Sequence, residues 1–304
     1  MANGYDLRII QPMSVPVATM LCRLAKIRSI INNTVYWNEA NAQISPGLLV
    51  ETLIICILYD RKPLWKVCEF WQNQDLTHLF PDDNIQSEWL NDDAYGHALD
   101  KVAEVNMELV ISLVCLVLLE AHNVGIDRVH LDTTSKSVQG IYNGATSICF
   151  GHSKDLRPDL KQIKFGIGVQ QDGLPVAGEV LSGNTSDVKW NIDAAGAMKD
   201  FFDNHRYKDI LFVSDCAIVS TDNLKTLSEK KIQFVSRLPE TFNLAERLKE
   251  EAFKENKWLK AGNLTKDKTT KGAQYQLYSK TTDLDGRLYR FIVVQSSALL
   301  DHHR

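Results

Sequence analysis

The sequence has no CxxC pair, no membrane-length hydrophobic run and no excess of basic charge, and each lack removes a class of function. Its six cysteines, Cys22, Cys56, Cys68, Cys115, Cys149 and Cys216, are scattered. Neither a disulfide framework nor a cysteine zinc site is indicated, and a reduced, cytoplasmic setting is expected. The longest apolar stretch, Leu109 to Leu119, falls well short of the roughly 20 residues that cross a bilayer, so it reads as a buried helix. The opening MANGYDLRII lacks a basic region followed by an apolar one, which argues against a secretory signal. A net charge of −4 argues against bulk attraction to polyanions, so any contact with nucleic acid has to come from local basic patches. The deficit is uneven. Residues 1–125 carry 8 Lys and Arg against 15 Asp and Glu, whereas residues 126–304 carry 26 against 23.

What is present is the material of a globular chain. At 304 residues, 44% hydrophobic and 24% charged, it can bury a substantial core and divide into two or three domains. Residues 1–124 read as a helical N-terminal domain. Ser45-Pro46 pairs a hydroxyl cap with proline at the first helical position, and Leu48, Leu49, Leu53, Cys56 and Ile57 then recur at helical spacing. A second helix is expected near Pro63, giving a helix-turn-helix-like pair. Asn91-Asp92-Asp93 caps a helix whose apolar stripe is expected to run unbroken into the Leu109 segment and to stop at Gly125.

At Gly125 the pattern changes to strands. Ile126 to Thr134 reads as a short strand with Asp132 at its end. Gln162–Val169 and Leu174–Leu181, joined by Gln171-Asp172-Gly173, should form a hairpin. A helix from Ser186 to about Phe202, a strand from Ile210 to Asp215, a helix over Thr221–Lys231 and a strand over Ile232–Ser236 follow, an order typical of α/β folds. Residues 125–240 form the expected core domain. Beyond them a helix is expected over Leu244–Trp258, then a lysine-threonine stretch at 264–271 and strands at Tyr275–Thr281 and Arg287–Gln295.

Two aspartates stand out. Asp132 and Asp215 are each expected at the C-terminal end of an apolar strand, where α/β sheets present ligand-binding groups. Carboxylates gathered there repel one another unless a cation lies between them, and Mg²⁺ or Mn²⁺ takes oxygen ligands of this kind. A structural role, capping the next turn, explains such residues about equally well. Between Gly151 and Lys164, the residues Lys154, Arg157, Lys161 and Lys164 could contact phosphates without reading sequence, or be balanced by Asp155 and Asp159 as a solvated loop. His130 is expected to face away from Asp132 as a structural histidine. Trp65, Trp71 and Trp89 read as core or helix-contact residues, and His302-His303 has no metal-ligand spacing.

The blocks His130-Leu-Asp132-Thr-Thr, Gly151-His-Ser-Lys-Asp-Leu-Arg-Pro-Asp-Leu-Lys-Gln162, Gly183-Asn-Thr-Ser-Asp187, Val213-Ser-Asp215-Cys-Ala and Ser236-Arg-Leu-Pro239, preceded by Leu90-Asn-Asp-Asp-Ala-Tyr-Gly-His-Ala-Leu-Asp100, resemble the ordered motifs of DDE transposases of the insertion-sequence-four-like group. The resemblance runs from about residue 90 to 240. It implies a ribonuclease-H-like, mixed-sheet core, two divalent ions, and cleavage and strand transfer of double-stranded DNA at transposon ends by a homodimer assembled on the DNA. It also implies that Asp132 and Asp215 are the first two members of an acidic triad. The family's third acid lies in a Tyr-x2-Arg-x3-Glu-x6-Lys string that is missing here. Arg247-x3-Glu251 matches it in part, with Glu250 adjacent, although Arg and Glu four apart on a helix more often form an exposed ion pair. Residues 241–304 are therefore expected to begin a β-rich insertion, with the third acid beyond Arg304. A truncated, non-catalytic regulator that binds DNA is the alternative.

Overall fold

A computed structural model describes residues 14–298 except 41, 154, 206 and 264–271. Lys154, the lysine-threonine stretch at 264–271 and His302-His303 lie outside the described residues. The chain divides into two compact units, one of residues 1–186 and 197–213, the other of residues 187–196 and 214–304.

In the first unit, helices α1 (Val15–Leu24), α2 (Ile27–Thr34), α3 (Pro46–Tyr59), α4 (Val67–Gln72), α5 (Leu76–Leu79), α6 (Asp92–Ala103) and α7 (Met107–Ala121) precede the strands. Ser45 caps α3, its Oγ accepting from the Leu48 amide at 3.2 Å. Apolar residues on nearly every face of α3 then bury Leu48, Leu49, Leu53, Ile55 and Cys56 around the fully enclosed Trp71, Phe80 and Tyr95. Polar groups inside this cluster are tied together. The Arg28 guanidinium donates to the buried Glu51 at 2.9 Å and to both oxygens of Asp83 at 2.9 and 2.7 Å. Burial pushes the Glu51 carboxyl up from its ordinary range and Arg28 partly offsets this.

The single long helix expected from Asn91 onward is instead two. Asn91 caps α6 by accepting from Ala94 at 3.0 Å, and Asn106 caps α7 in the same way, accepting from Leu109 at 3.0 Å. The two helices meet at 96°. A second asparagine cap within the apolar stripe restarts the helix in a new direction, a signal that apolar periodicity overrides when a sequence is read alone. No single described helix is long and apolar enough to cross a membrane. Asn123, with φ of 50°, follows α7 in the left-handed conformation, so Gly125 is not its terminator.

Strands β1 (Arg128–Val138), β2 (Lys161–Gln170) and β3 (Pro175–Ser182) form an antiparallel meander, and β4 (Leu211–Val213) adds to the other edge of β1 in parallel. The expected hairpin between β2 and β3 is present, closed by the Gly173 amide donating to the Gln170 carbonyl at 3.0 Å. β1 is longer than expected. It continues through Ser135-Lys-Ser-Val138 because β2 pairs with it along its whole length, from Val129 opposite Gln170 to Val138 opposite Lys161. Its first eight residues alternate, with Val129, Leu131, Thr133 and Ser135 buried and Arg128, His130, Asp132 and Thr134 exposed. The helix α8 (Asp187–Asn204) runs from the second unit into the first. Its Met198 packs over Gly168 of β2, its terminal methyl 2.7 Å from where a Cβ would stand, so a larger residue there would push the methionine aside. On the opposite face Ile111 of α7 lies 3.7 Å from the equivalent position of Gly178.

The second unit carries α9 (Thr221–Glu229), capped by Ser220 accepting from Asn223 at 3.2 Å, and β5 (Gln233–Val235). Next come α10 (Asn243–Glu255) and an antiparallel sheet of β6 (Leu259–Asn263), β7 (Gln274–Leu284) and β8 (Arg287–Ser296) in the order β6-β7-β8. The helix α10 ends at Asn256 in the left-handed conformation, φ 51°, short of the expected Trp258. Trp258 instead packs edge-on against Phe253 and Tyr278. Glu251 of α10 accepts from the Tyr278 hydroxyl at 3.0 Å and pairs with the Lys280 ammonium, both on β7.

Two predictions follow from these contacts. A methyl group on Gly183 would lie 2.1 Å from the Gln162 carbonyl oxygen, whereas one on Gly96 of α6 would meet nothing within 4 Å. Gly183→Ala should therefore lower stability by about 2–3 kcal/mol and Gly96→Ala raise it by about 0.5–1 kcal/mol, as read from urea midpoints; equal effects would contradict the packing. The second concerns Glu251, whose pKa the Lys280 ammonium holds below its ordinary 4.5. A depressed acid stabilises the fold above its unfolded-state pKa and loses that contribution as pH falls through the folded value. The melting temperature of the native chain should accordingly fall more steeply below pH 4.5 than that of Glu251→Gln, and parallel curves would show the pair to be idle.

Candidate functional site

Asp132 sits inside β1 and not at its end, because the strand runs on to Val138. Measured against its parallel neighbour, however, it lies just past the paired segment. β1 and β4 are in register from Arg128 opposite Leu211 to His130 opposite Val213, and Asp132 and Asp215 each follow two residues on in their own chain segments. Asp132 belongs to the first unit and Asp215 to the second. Both are exposed. Asp132 accepts from the Thr133 amide at 2.8 Å. His130 shares the exposed face with Asp132, against expectation, because residues two apart on a strand point the same way.

Asp215 has a structural task of its own. Its Oδ1 accepts from the Ala217 amide at 2.9 Å, capping the short 3₁₀ turn Cys216–Ile218. The Ser236 hydroxyl donates to its carbonyl at 2.6 Å. Capping uses one oxygen lone pair and leaves others for a ligand, so the capping and ligand roles are compatible.

The basic segment is more committed than its sequence suggests. Arg157 forms a two-pronged pair with Asp159 at 2.8 and 2.7 Å, which raises the arginine pKa and lowers that of the aspartate. Lys161 donates to the carbonyls of Ile141 and Tyr142 at 2.6 and 3.5 Å. Lys164 is buried and donates to the Thr185 carbonyl at 2.7 Å. The balanced loop weighed from sequence thus describes Arg157 as it stands, while Lys161 and Lys164 tie the loops beside the sheet together.

One residue without an assigned role in the sequence is central to this packing. Gln162 is fully buried, and its Nε2 donates to the carbonyls of Gly183 at 2.6 Å and His152 at 3.2 Å. Gly151 and Gly183 approach so closely that a Cβ on either would collide with the other segment's backbone or with Gln162. The Cys149 thiol lies 3.2 Å from the Ser182 hydroxyl. Two of the motif blocks, 151–162 and 183–187, therefore meet around one glutamine amide. The paired glycines were the readable signal; the amide's partners were not readable, being separated by up to 21 residues.

Two oxygen-donor side chains suit Mg²⁺ or Mn²⁺, which accepts few protein ligands and retains several waters. Among the described residues no group of three or more His, Cys, Asp or Glu side chains is gathered as a metal site. Glu251, the partial match to a third acid, is engaged with Lys280 and Tyr278.

A family described as a domain of unknown function, DUF4277, matches residues 14–116. No curated protein matches the sequence. Among solved structures, the chain is similar to a piggyBac transposase synaptic complex with hairpin DNA, at 12% identity over 96% of this chain and 63% of that one, with a TM-score of 0.43. It is also similar to a Mos1 transposase paired-end complex with the left transposon end, at 11% identity over 71% and 68% of the two chains, TM-score 0.26, and to a Mos1 mariner paired-end complex with Mn, at 12% identity over 81% and 91%, TM-score 0.25. The chain spans less than two thirds of the piggyBac chain. At TM-scores below 0.5 a shared fold is not established, so the case for function stands on the chain's own residues.

Proposed function

We propose that this chain is a transposase that cleaves and transfers DNA phosphodiester bonds at the ends of a mobile element, with Asp132 and Asp215 as its metal-holding carboxylates. The supporting observation is the parallel register of β1 and β4, in which His130 is level with Val213 and each aspartate stands two residues further on. The ordered motif blocks from residue 90 to 240 support the same reading, and the core is read as ribonuclease-H-like on that basis.

In this proposal Asp132 and Asp215, both exposed, act as oxygen ligands, not as proton acceptors. Two bound Mg²⁺ or Mn²⁺ ions would supply activation of an attacking water or 3′-hydroxyl and stabilisation of the leaving oxygen. The Thr133 amide, donating to Asp132, and the Ala217 amide, donating to Asp215, orient the carboxylates. The Gln162 amide holds the segments around residues 151 and 183 together, and Arg157 and Lys161, with Lys154 from the same stretch of sequence, are the residues that would contact the DNA backbone. Arg157 must exchange Asp159 for phosphate to do so, one charge-assisted partner for another. Two copies assemble on the DNA ends.

A specific observation favours a second reading, a regulator that occupies DNA ends without cutting them. The Glu251 carboxylate, the partial match to the third acid, is already bound by Lys280 and Tyr278.

The test is nicking of duplex oligonucleotides that cover the DNA bordering the gene, in Mg²⁺ or Mn²⁺. The native chain should nick them. Asp132→Asn and Asp215→Asn should each lose activity by about 100-fold or more while binding the duplex as before, and Glu251→Gln should change the rate little. Nicking that survives both aspartate changes overturns the site, and duplex binding without nicking by the native chain supports the regulator.

A further inference from the structure

The outermost strand of the second unit's sheet is unguarded. β8 ends the order β6-β7-β8, and among the described residues no strand pairs with its far edge. Exposed edges are usually blunted by a proline, a bulge, an inward charge or short length. β8 has ten residues, no proline, and an unbroken register with β7 from Arg287 opposite Leu284 to Ser296 opposite Tyr275. Its side chains divide between two faces. Tyr289 and Phe291 lie on the inner one, where Tyr289 meets Phe234 and Phe291 edge-on, whereas Leu288, Ile292 and Val294 on the outer one are 75%, 46% and 54% exposed. Leu259 of β6, also exposed, extends that apolar face, being level with Leu277, which is level with Val294. Asp285 and Gly286, both left-handed with φ of 52° and 77°, form a two-residue turn that makes Leu284 and Arg287 a hydrogen-bonded pair. Successive residues of an antiparallel strand point their backbone groups to opposite edges, so Leu288, Arg290, Ile292 and Val294 turn theirs outward.

An open edge beside an open apolar face fits an added strand, and β8 is complementary to itself. We infer that β8 pairs antiparallel with β8 of a second copy about a two-fold axis at Ile292, joining two three-stranded sheets into one of six strands. Charge fixes that register. β8 carries Arg287 and Arg290 and no acid, and like charges on neighbouring strands repel. An axis at Phe291 would set the two Arg290 side chains diagonally adjacent, and one at Val293 would leave only residues 290–296 paired. With the axis at Ile292, residues 288–296 all pair, and the two Arg290 side chains stand about 14 Å apart along the strands, beyond the screening length of physiological salt. Each then faces Val294 of the partner subunit, and Phe291 faces Val293 of the partner subunit, an aromatic and β-branched pair of the favourable kind. The opposite edge of the sheet does not invite further copies: β6 has five residues, and its register with β7 shifts between Lys260 and Gly262. Association therefore closes at two copies. A single strand pair buries less than the roughly 800 Å² per partner of a standard interface, so the dimer is a weak one. It uses residues of the second unit alone and needs no DNA, which separates it from assembly on DNA ends.

The test is sedimentation velocity of the full chain without DNA, over protein concentrations from about 1 to 200 µM, a range that brackets a weak interface. Expected is a monomer that converts to a dimer and to nothing larger, with a dissociation constant of roughly 10–100 µM. Ile292→Lys sets two lysines opposite each other across the axis and should weaken the dimer at least about tenfold, while its melting temperature in dilute solution stays that of the native chain. Val294→Glu and Val294→Lys remove the same apolar contact, but the glutamate faces Arg290 of the partner subunit as an opposite charge and the lysine as a like one. The glutamate variant should dimerise about tenfold more tightly than the lysine variant, and the gap should shrink in high salt. Nonspecific association of a chain with net charge −4 would favour the lysine variant instead, so this comparison stands whether or not Ile292→Lys folds. A monomer across the whole range, species beyond the dimer, undiminished dimerisation by folded Ile292→Lys, or glutamate and lysine variants that behave alike would overturn the assignment.

Discussion

The structure of the first unit depends on β1 being held on both edges, antiparallel by β2 along its length and parallel by β4 over three residues at its start. A strand with two partners has every backbone group in its paired stretch satisfied, and its pleat forces side chains to alternate between faces. That alternation buries Val129, Leu131, Thr133 and Ser135 and leaves His130, Asp132 and Thr134 in water. The ladder to β2 continues for several residues beyond Asp132, so the aspartate sits on a rigid strand and not on a fraying end. Rigidity of this kind is what a ligand-holding carboxylate needs, because its geometry is fixed before any ligand arrives.

The surrounding loops are fixed by a different device. Where β1 and β2 rely on backbone ladders, the segments around residues 151 and 183 rely on paired glycines and one buried amide, that of Gln162. Glycine brings two backbones closer than any side chain allows, and the Gln162 Nε2 then donates to the carbonyls of Gly183 and His152. The helical region uses a third device, an arginine shared between the buried Glu51 and Asp83. Removing the arginine from such a cluster would leave a carboxylate in low dielectric, which is why buried charges of this kind persist only as sets. Each device holds a polar group in place at a different depth, and together they explain how a chain with an acid-rich helical region can still present ordered polar surfaces.

Much of this was legible from local signals. The Ser45-Pro46 cap, the Asn91 cap and the Gln171-Asp172-Gly173 turn each act over a few residues, and each stands where the sequence puts it. Signals that compete were misread. The apolar stripe crossing residue 106 hides an asparagine cap that starts a new helix, and the left-handed residue after α7 is Asn123, not a glycine. Long-range partners were not legible at all. Nothing near Glu251 announces that Lys280 and Tyr278 will bind it, and nothing in β1 announces that β2 will extend it to Val138. The local signature that singles out the candidate acids, an aspartate closing an apolar strand, holds only in part, since β1 runs past Asp132 to Val138. The register of β1 with β4, on which the proposed pairing of the two acids rests, is a property of two segments far apart in the sequence.

That register is the central claim, and iron-directed cleavage of the protein backbone tests it most directly. With hydrogen peroxide and ascorbate supplied, Fe²⁺ held at the site in place of Mg²⁺ would reduce the peroxide to hydroxyl radicals that cut the chain beside the ion, and the account predicts two sets of fragments, ending near residues 132 and 215, suppressed by excess Mg²⁺ and both lost in Asp132→Asn. Cuts at only one of these positions, or a set near 215 that persists in Asp132→Asn, would contradict it.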